Sequence, residues 1–177
     1  MSGYVAKNVD DLPDAQDLLS RTGLEFMQDV LNGRLSGPPI GATLGFRLCD
    51  VAEGFVTFEG APDFKVTNPM RGVHGGWYGA ILDSCMACAV MTTLPRGRIY
   101  TTLEYKVNLT RAIPLGTKVR ARGTVTHAGR STAVAVGEIR GVDDDQLYAS
   151  GSTTCMIMDG PGRPRAKGEA GIWKNSG

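Results

Sequence analysis

Residues 68–93 read NPMRGVHGGWYGAILDSCMACAVMTT, and the fold turns on how this stretch is interpreted. From His74 onward, three glycines (Gly75, Gly76, Gly79) lead into the apolar run AILDSCMACAVMTTL, which Pro95 stops. The run is too long for a typical strand, and its alanines and methionines favour helix. It is apolar nearly all round, so the spacing predicts a central, buried helix. Its body carries a single charged side chain, Asp83. Burying a carboxylate alone is costly, so this acid is either paired, for example at a subunit contact, or functional.

The flanking sequence supplies elements to wrap that helix. Residues 13–34 have apolar positions near helical spacing, with acids early, and the Ser36–Gly37–Pro38–Pro39 cluster ends the pattern. Residues 44–60 suggest two short strands parted by Ala52–Glu53–Gly54. In 101–109, Thr101, Leu103, Tyr105, Val107 and Leu109 alternate with Thr102, Glu104, Lys106 and Asn108, a period of two. Segments 117–127, 131–142 and 146–158 read as further strands, the first two joined by the hairpin turn Ala128–Gly129–Arg130. The expected architecture is α+β, with a four-strand antiparallel meander following the long helix and one sheet wrapped against it. One domain over 42–158 is expected, with an arm carrying an amphipathic helix at 1–41 and a flexible tail at 159–177.

Composition narrows the function classes. With 177 residues, 42% apolar and 21% charged, the chain has enough apolar content for a core. Net charge is +1 with the two signs mixed, which argues against a nucleic-acid partner. No run approaches the roughly 20 apolar residues of a membrane span, and the acidic N-terminal stretch is unlike a secretory signal, so a cytoplasmic protein with no membrane partner is expected. Cys85 and Cys88 form a C-x-x-C pair, but the chain offers only His74 and His127 besides its cysteines as soft ligands, and the neighbours of the pair read as buried helix. Inert core thiols are the expected state, with no metal.

The helix start is chemically distinct. Backbone N–H groups in a first turn have no partner within the helix, and the helix dipole strengthens their pull on negative charge. Glycine lets a ligand approach that backbone, so the Gly75 N–H could polarise a carbonyl as an oxyanion hole does. The same Gly-Gly pair could equally be plain turn chemistry. Trp77, Tyr78 and Met70 flank the position, either as walls of a substrate pocket or as core.

The spacing Asn68-x5-His74-Gly75-Gly76-x6-Asp83, followed by TTLEYKVNLTRAIPLG and the turn HAGRS, resembles the hotdog-fold thioesterases, in the phenylacetyl-CoA and human-type acyl-CoA thioesterase branch. The resemblance spans roughly 42–158. It implies an antiparallel sheet around a central helix and hydrolysis of a coenzyme A thioester, with the thioester as substrate and no cofactor. By the same resemblance, Asp83 is the nucleophile or general base, Gly75 polarises the carbonyl, and Asn68 places the substrate or water. His74 shapes the loop. A hydroxyl on the following strand orients water: counting from Asp83 points to Thr101, whereas counting back from Pro114–Leu115–Gly116 favours Thr102. Gly76, Thr101, Arg130 and Ser131 are the implied substrate contacts, with Arg130 near the nucleotide; Lys106 and Arg111 are further candidates that fit plain surface charges better. A non-catalytic acyl-CoA-binding module on the same fold is the competing expectation. A hotdog dehydratase is disfavoured by the scarcity of histidines, and a serine hydrolase by the lack of a G-x-S-x-G elbow.

One further expectation is geometric. In a regular helix Gly75 and Asp83 lie about 12 Å apart along the axis, too far to serve one carbonyl. If both act, they come from different subunits, and a homodimer is expected, itself pairing into a tetramer.

Overall fold

The computed structural model describes residues 4–160. Its elements run α1 (Ala15–Leu19), α2 (Gly23–Leu31), α3 (Pro39–Leu44), β1 (Phe46–Ala52), β2 (Phe55–Gly60), α4 (Gly75–Thr92), β3 (Arg98–Leu109), β4 (Val119–Ala128), β5 (Thr132–Gly141) and β6 (Leu147–Asp159). The six strands form one antiparallel sheet in the order β1-β2-β4-β5-β6-β3. The sheet wraps α4, whose Ile81, Leu82, Cys85, Met86 and Val90 are fully buried. Burial of each large aliphatic chain is worth roughly 1.5–3 kcal/mol, so this helix organises the core.

Close approach of helix to sheet depends on a row of glycines. Gly123 on β4 pairs with Gly137 on β5, which pairs with Gly151 on β6. A Cβ at Gly123 would stand 2.2 Å from the Cys85 carbonyl oxygen, and one at Gly137 would stand 2.8 Å from Cγ of Met86. The row thus forms a shallow trough for the turn of α4 that contains Leu82, Cys85 and Met86, immediately beside Asp83.

Three expectations need correction. The strands after α4 do not form a simple four-strand meander: β4, β5 and β6 do, but β3 lies at the far edge beside β6. The chain of α4 crosses the sheet from β2 to that edge, and the return to β4 is anchored by Gly116 N–H donating to Pro62 O at 2.8 Å. The helix expected over 13–34 is two helices. Thr22 and Glu25 make a reciprocal capping box that starts α2 afresh, while Asp14 caps α1. The Pro38–Pro39 cluster, read as a terminator, also starts α3, with Pro39 in the first turn where a missing N–H costs nothing.

At the chain's other end, Asp159 belongs to β6 and pairs with Arg98 at 3.1 Å, so the expected tail begins later than 159. Beyond Gly160 that tail lies outside the described residues. Among the described residues no helix is long and apolar enough to cross a membrane.

The strand β3 carries a bulge between Thr102 and Glu104. Before it, Tyr100 and Thr102 point toward α4; after it, Tyr105, Val107 and Leu109 do. Leu103, which a strict period of two would place with the latter three, is 55% exposed. One extra residue in one strand reverses which side its successors face.

Candidate active site

The loop before α4 is built by Asn68. Its side-chain oxygen accepts from the N–H groups of Met70 (3.0 Å) and Gly72 (3.1 Å), and its own N–H donates to Gly72 O at 2.8 Å. Inside this tight turn Arg71 is left-handed, at φ 63°. The turn delivers His74 to the N-cap of α4, where Nδ1 accepts from the Gly76 N–H at 2.9 Å. That contact consumes one of the orphan donors of the first turn, and the Trp77 N–H donates to His74 O. The Gly75 N–H has no acceptor among the described residues, and Gly75 is exposed. The helix thus offers solvent a free donor at the position singled out from sequence, with His74 acting as its cap.

Two turns further along, Asp83 is half-buried on the flank of α4 that faces β3. Thr102 donates its hydroxyl to Asp83 Oδ1 at 3.2 Å. Loss of hydration raises the carboxyl above the ordinary aspartate range, and the hydrogen bond from Thr102 offsets part of that rise. The structure brings Thr102, not Thr101, to the acid: Thr101 is exposed on the opposite side of β3 and pairs with Met156.

Trp77 and Tyr78, the aromatic neighbours, are core. They are 2% and 3% exposed, Trp77 Nε1 donates to Leu44 O at 2.7 Å, and the Tyr78 hydroxyl accepts from the Ile113 N–H at 2.8 Å. Met70, by contrast, is 86% exposed. Cys85 is fully buried and its thiol is pushed up strongly by burial; the Cys88 thiol is pushed up to about 12, by burial first and then by the charge of Asp83. Such thiols carry no appreciable thiolate near neutrality and act as small apolar groups.

Arg130 and Ser131 occupy the turn between β4 and β5, both exposed. The turn is held by Arg98, which donates to Arg130 O at 2.6 Å, and by Ile157 N–H to Ser131 O at 2.9 Å. Thr132, Met156 and Thr101 are cross-strand neighbours, so the turn stands level with Thr102 but two strands away, about 10 Å at the usual strand spacing. Lys106 and Arg111 are exposed. The sequence reading starts the strand at 101 and leaves out Tyr100, which shares the α4-facing side with Thr102 and lies against Cys88. An aromatic two residues before a functional strand position was the available signal.

Comparison with known proteins gives the family of the chain. The sequence profile of the thioesterase superfamily matches residues 71–148. No curated protein matches the sequence. Among solved structures, a phenylacetic acid degradation-related protein from Ralstonia eutropha is 30% identical, with TM-score 0.67, covering 73% of this chain and 97% of its own. The Escherichia coli PaaI protein of the phenylacetic acid degradation operon is 19% identical, with TM-score 0.68, covering 80% of this chain and 97% of its own. A Streptococcus pneumoniae protein solved with coenzyme A is 20% identical, with TM-score 0.62, covering 68% of this chain and 91% of its own. The profile match runs through the head of α4, Asp83 and Thr102, and the Ralstonia protein is matched over nearly its whole length, so the chain belongs to the thioesterase superfamily.

Proposed function

We propose that the protein hydrolyses a coenzyme A thioester to a free acid and coenzyme A. The observation that carries this reading is the placement of Asp83: one half-buried carboxylate, oriented by Thr102, on the same helix whose head offers the unpartnered Gly75 N–H. The acid supplies the attack, and the amide supplies the stabilisation of the oxyanion. In the reaction, Asp83 either takes a proton from an attacking water or bonds to the carbonyl carbon itself. The C–S bond breaks, coenzyme A leaves as thiolate and is protonated, and one water is consumed in total.

Gly75 and Asp83 stand eight residues apart on one regular helix, about 12 Å along the axis. A single carbonyl therefore draws its N–H and its acid from two subunits, and the working unit is at least a dimer. Support comes from β3, a twelve-residue edge strand that among the described residues pairs on one side only and exposes Leu103, Tyr105 and Leu109. Long exposed edges of this kind invite pairing with a second chain. Arg130, exposed beside the site, suits the phosphates of coenzyme A, with the phosphate-bearing end laid over the β4–β5 turn.

Hydrolysis of a panel of coenzyme A esters by the wild-type protein and by Asp83→Asn tests the proposal. Turnover by the wild type and its loss in the variant, with binding retained, is the expected result. Equal turnover by both proteins overturns the role of Asp83. Binding without turnover by the wild type would instead make the protein an acyl-CoA-binding module.

A further inference from the structure

The N-terminal arm, residues 4–44, is fastened to α4 at both ends. Near the head, Trp77 Nε1 donates to Leu44 O at 2.7 Å; past the far end, the Gly23 N–H donates to Leu94 O at 2.9 Å. Gly23 is so close to α4 that a Cβ there would overlap the Met91 carbonyl oxygen, at 1.7 Å. Between these attachments lies a cavity of about 920 Å³. One wall is Ser84, Cys88 and Met91 of α4 with Tyr100 of β3, and the roof includes Val30 of α2 and Ile40 of α3.

Its position relative to the acid is fixed by two periodicities. Ser84, Cys88 and Met91 recur at helical spacing and form one stripe adjoining Asp83, running about 10 Å along the axis. Tyr100 precedes Thr102 by two residues on the same side of β3. The near wall of the cavity therefore begins where the Asp83–Thr102 pair ends. A carbonyl carbon held at Asp83 would thus lie next to the cavity wall formed by Ser84 and Tyr100.

The lining is chemically inert. The Ser84 hydroxyl donates back to Ala80 O at 2.8 Å, and Cys88 is a neutral thiol. The charged groups that border it, Arg47, Glu59 and Lys118, belong to β1, β2 and the approach to β4; Arg47 and Lys118 are exposed, and Glu59 is paired with Arg47 and Arg120. A volume of about 920 Å³ stands at the upper end of the roughly 300–1,000 Å³ usual for small-molecule sites. A methylene takes no more room than a water molecule, about 30 Å³, so a two-carbon or single-ring acyl group would fill only a small part.

We infer that this cavity is the acyl pocket, that the N-terminal arm is its roof, and that the substrates are coenzyme A thioesters of long aliphatic acids, of roughly ten carbons or more. The assignment of the ligand rests on the thioesterase reading; the existence of an apolar chain site does not.

The test uses the full-length protein and a series of ethyl, hexyl and dodecyl thioethers of coenzyme A, which cannot be hydrolysed, titrated by calorimetry. Affinity is expected to rise by about three- to four-fold per methylene until the pocket is filled, with dodecyl more than about 10⁴-fold tighter than ethyl. Val30→Trp fills the space from the roof and should weaken dodecyl binding more than ten-fold while leaving ethyl within three-fold. Ala42→Trp, at an exposed position of α3 that also borders the cavity, makes the same test should Val30→Trp fail to fold. Affinity independent of chain length, or roof variants that weaken every thioether equally, overturns the pocket. Esters cleaved without any chain-length effect would remove the pocket and leave the hydrolase; chain-length-dependent binding with no ester cleaved would remove the hydrolase and leave the pocket.

Discussion

Thr102 on β3 gives its hydroxyl hydrogen to Oδ1 of Asp83 on α4, at 3.2 Å, so the only acid within the buried helix is oriented from the edge of the sheet. This bond joins the two elements that a partner subunit would approach, and it sets the first prediction. Asp83→Asn should lower kcat on any ester the wild type cleaves by about 10³-fold, the usual size for loss of an essential base or nucleophile. Thr102→Ala should cost about ten-fold, and the double variant should be no worse than Asp83→Asn alone, because the hydroxyl acts through the acid. Steady-state kinetics on the three variants check this; additive losses would show that Thr102 acts independently.

The pH profile gives the second. Burial raises the Asp83 carboxyl above the ordinary value of 3.8, and Thr102 holds it partly down. The acidic limb of kcat/KM should therefore have its midpoint above 3.8. Removing the hydroxyl in Thr102→Ala should move the limb to higher pH. A limb that moves downward, or does not move, contradicts the assignment of that titration to Asp83.

The same shift has a consequence for folding. A carboxyl whose folded pKa is raised binds its proton more tightly folded than unfolded, so stability falls as pH rises from the unfolded value through the folded one. Above that window the charged, half-buried Asp83 carries the full penalty. Asp83→Asn should thus be more stable than the wild type at neutral pH, and the gain should vanish below 3.8, where both side chains are neutral. Thermal melts at pH 7 and pH 3 measure both halves; a variant less stable at neutral pH would show that the carboxylate is structural.

The glycine trough makes the fourth. Gly123→Ala would set a methyl group 2.2 Å from the Cys85 carbonyl oxygen, a contact with helix backbone that no rotamer change relieves. Overpacking of this kind costs typically about 1–3 kcal/mol and occasionally more, and this site should be at or beyond the top of that range. Urea unfolding should show a lowered midpoint. Activity per folded molecule should fall as well, since the displaced turn of α4 adjoins Asp83.

Much of this arrangement is written locally. The length and composition of 80–94 announce α4, and the spacing of Asn68 and His74 before the helix and Asp83 within it can be read directly. The Thr22–Glu25 capping box is equally local, yet the apolar periodicity continuing across Ser20–Arg21 obscures it. Strand neighbours are another matter. Residues 101–109 declare themselves a strand, but whether they lie beside β4 or β6 depends on where α4 deposits the chain. The choice between Thr101 and Thr102 is non-local for the same reason: it depends on a bulge that exists only through the register of β3 with β6. The cavity under the arm arises from residues more than a hundred positions apart, from Tyr4 to Val142, and no single segment contains its pattern.

That bulge also defines what kind of change the strand can absorb. Up to Thr102 the even-numbered residues look inward, and from Tyr105 the odd-numbered ones do, so position 103 works as a phase shift in the reading of the strand. Exchange of Leu103 for another side chain alters an exposed surface. Deletion of it removes the bulge alone: Thr102, Tyr105, Val107 and Leu109 then follow one regular alternation with Glu104, Lys106 and Asn108 between them, and all four can keep facing α4. At this position the strand tolerates a change of count as well as a change of identity.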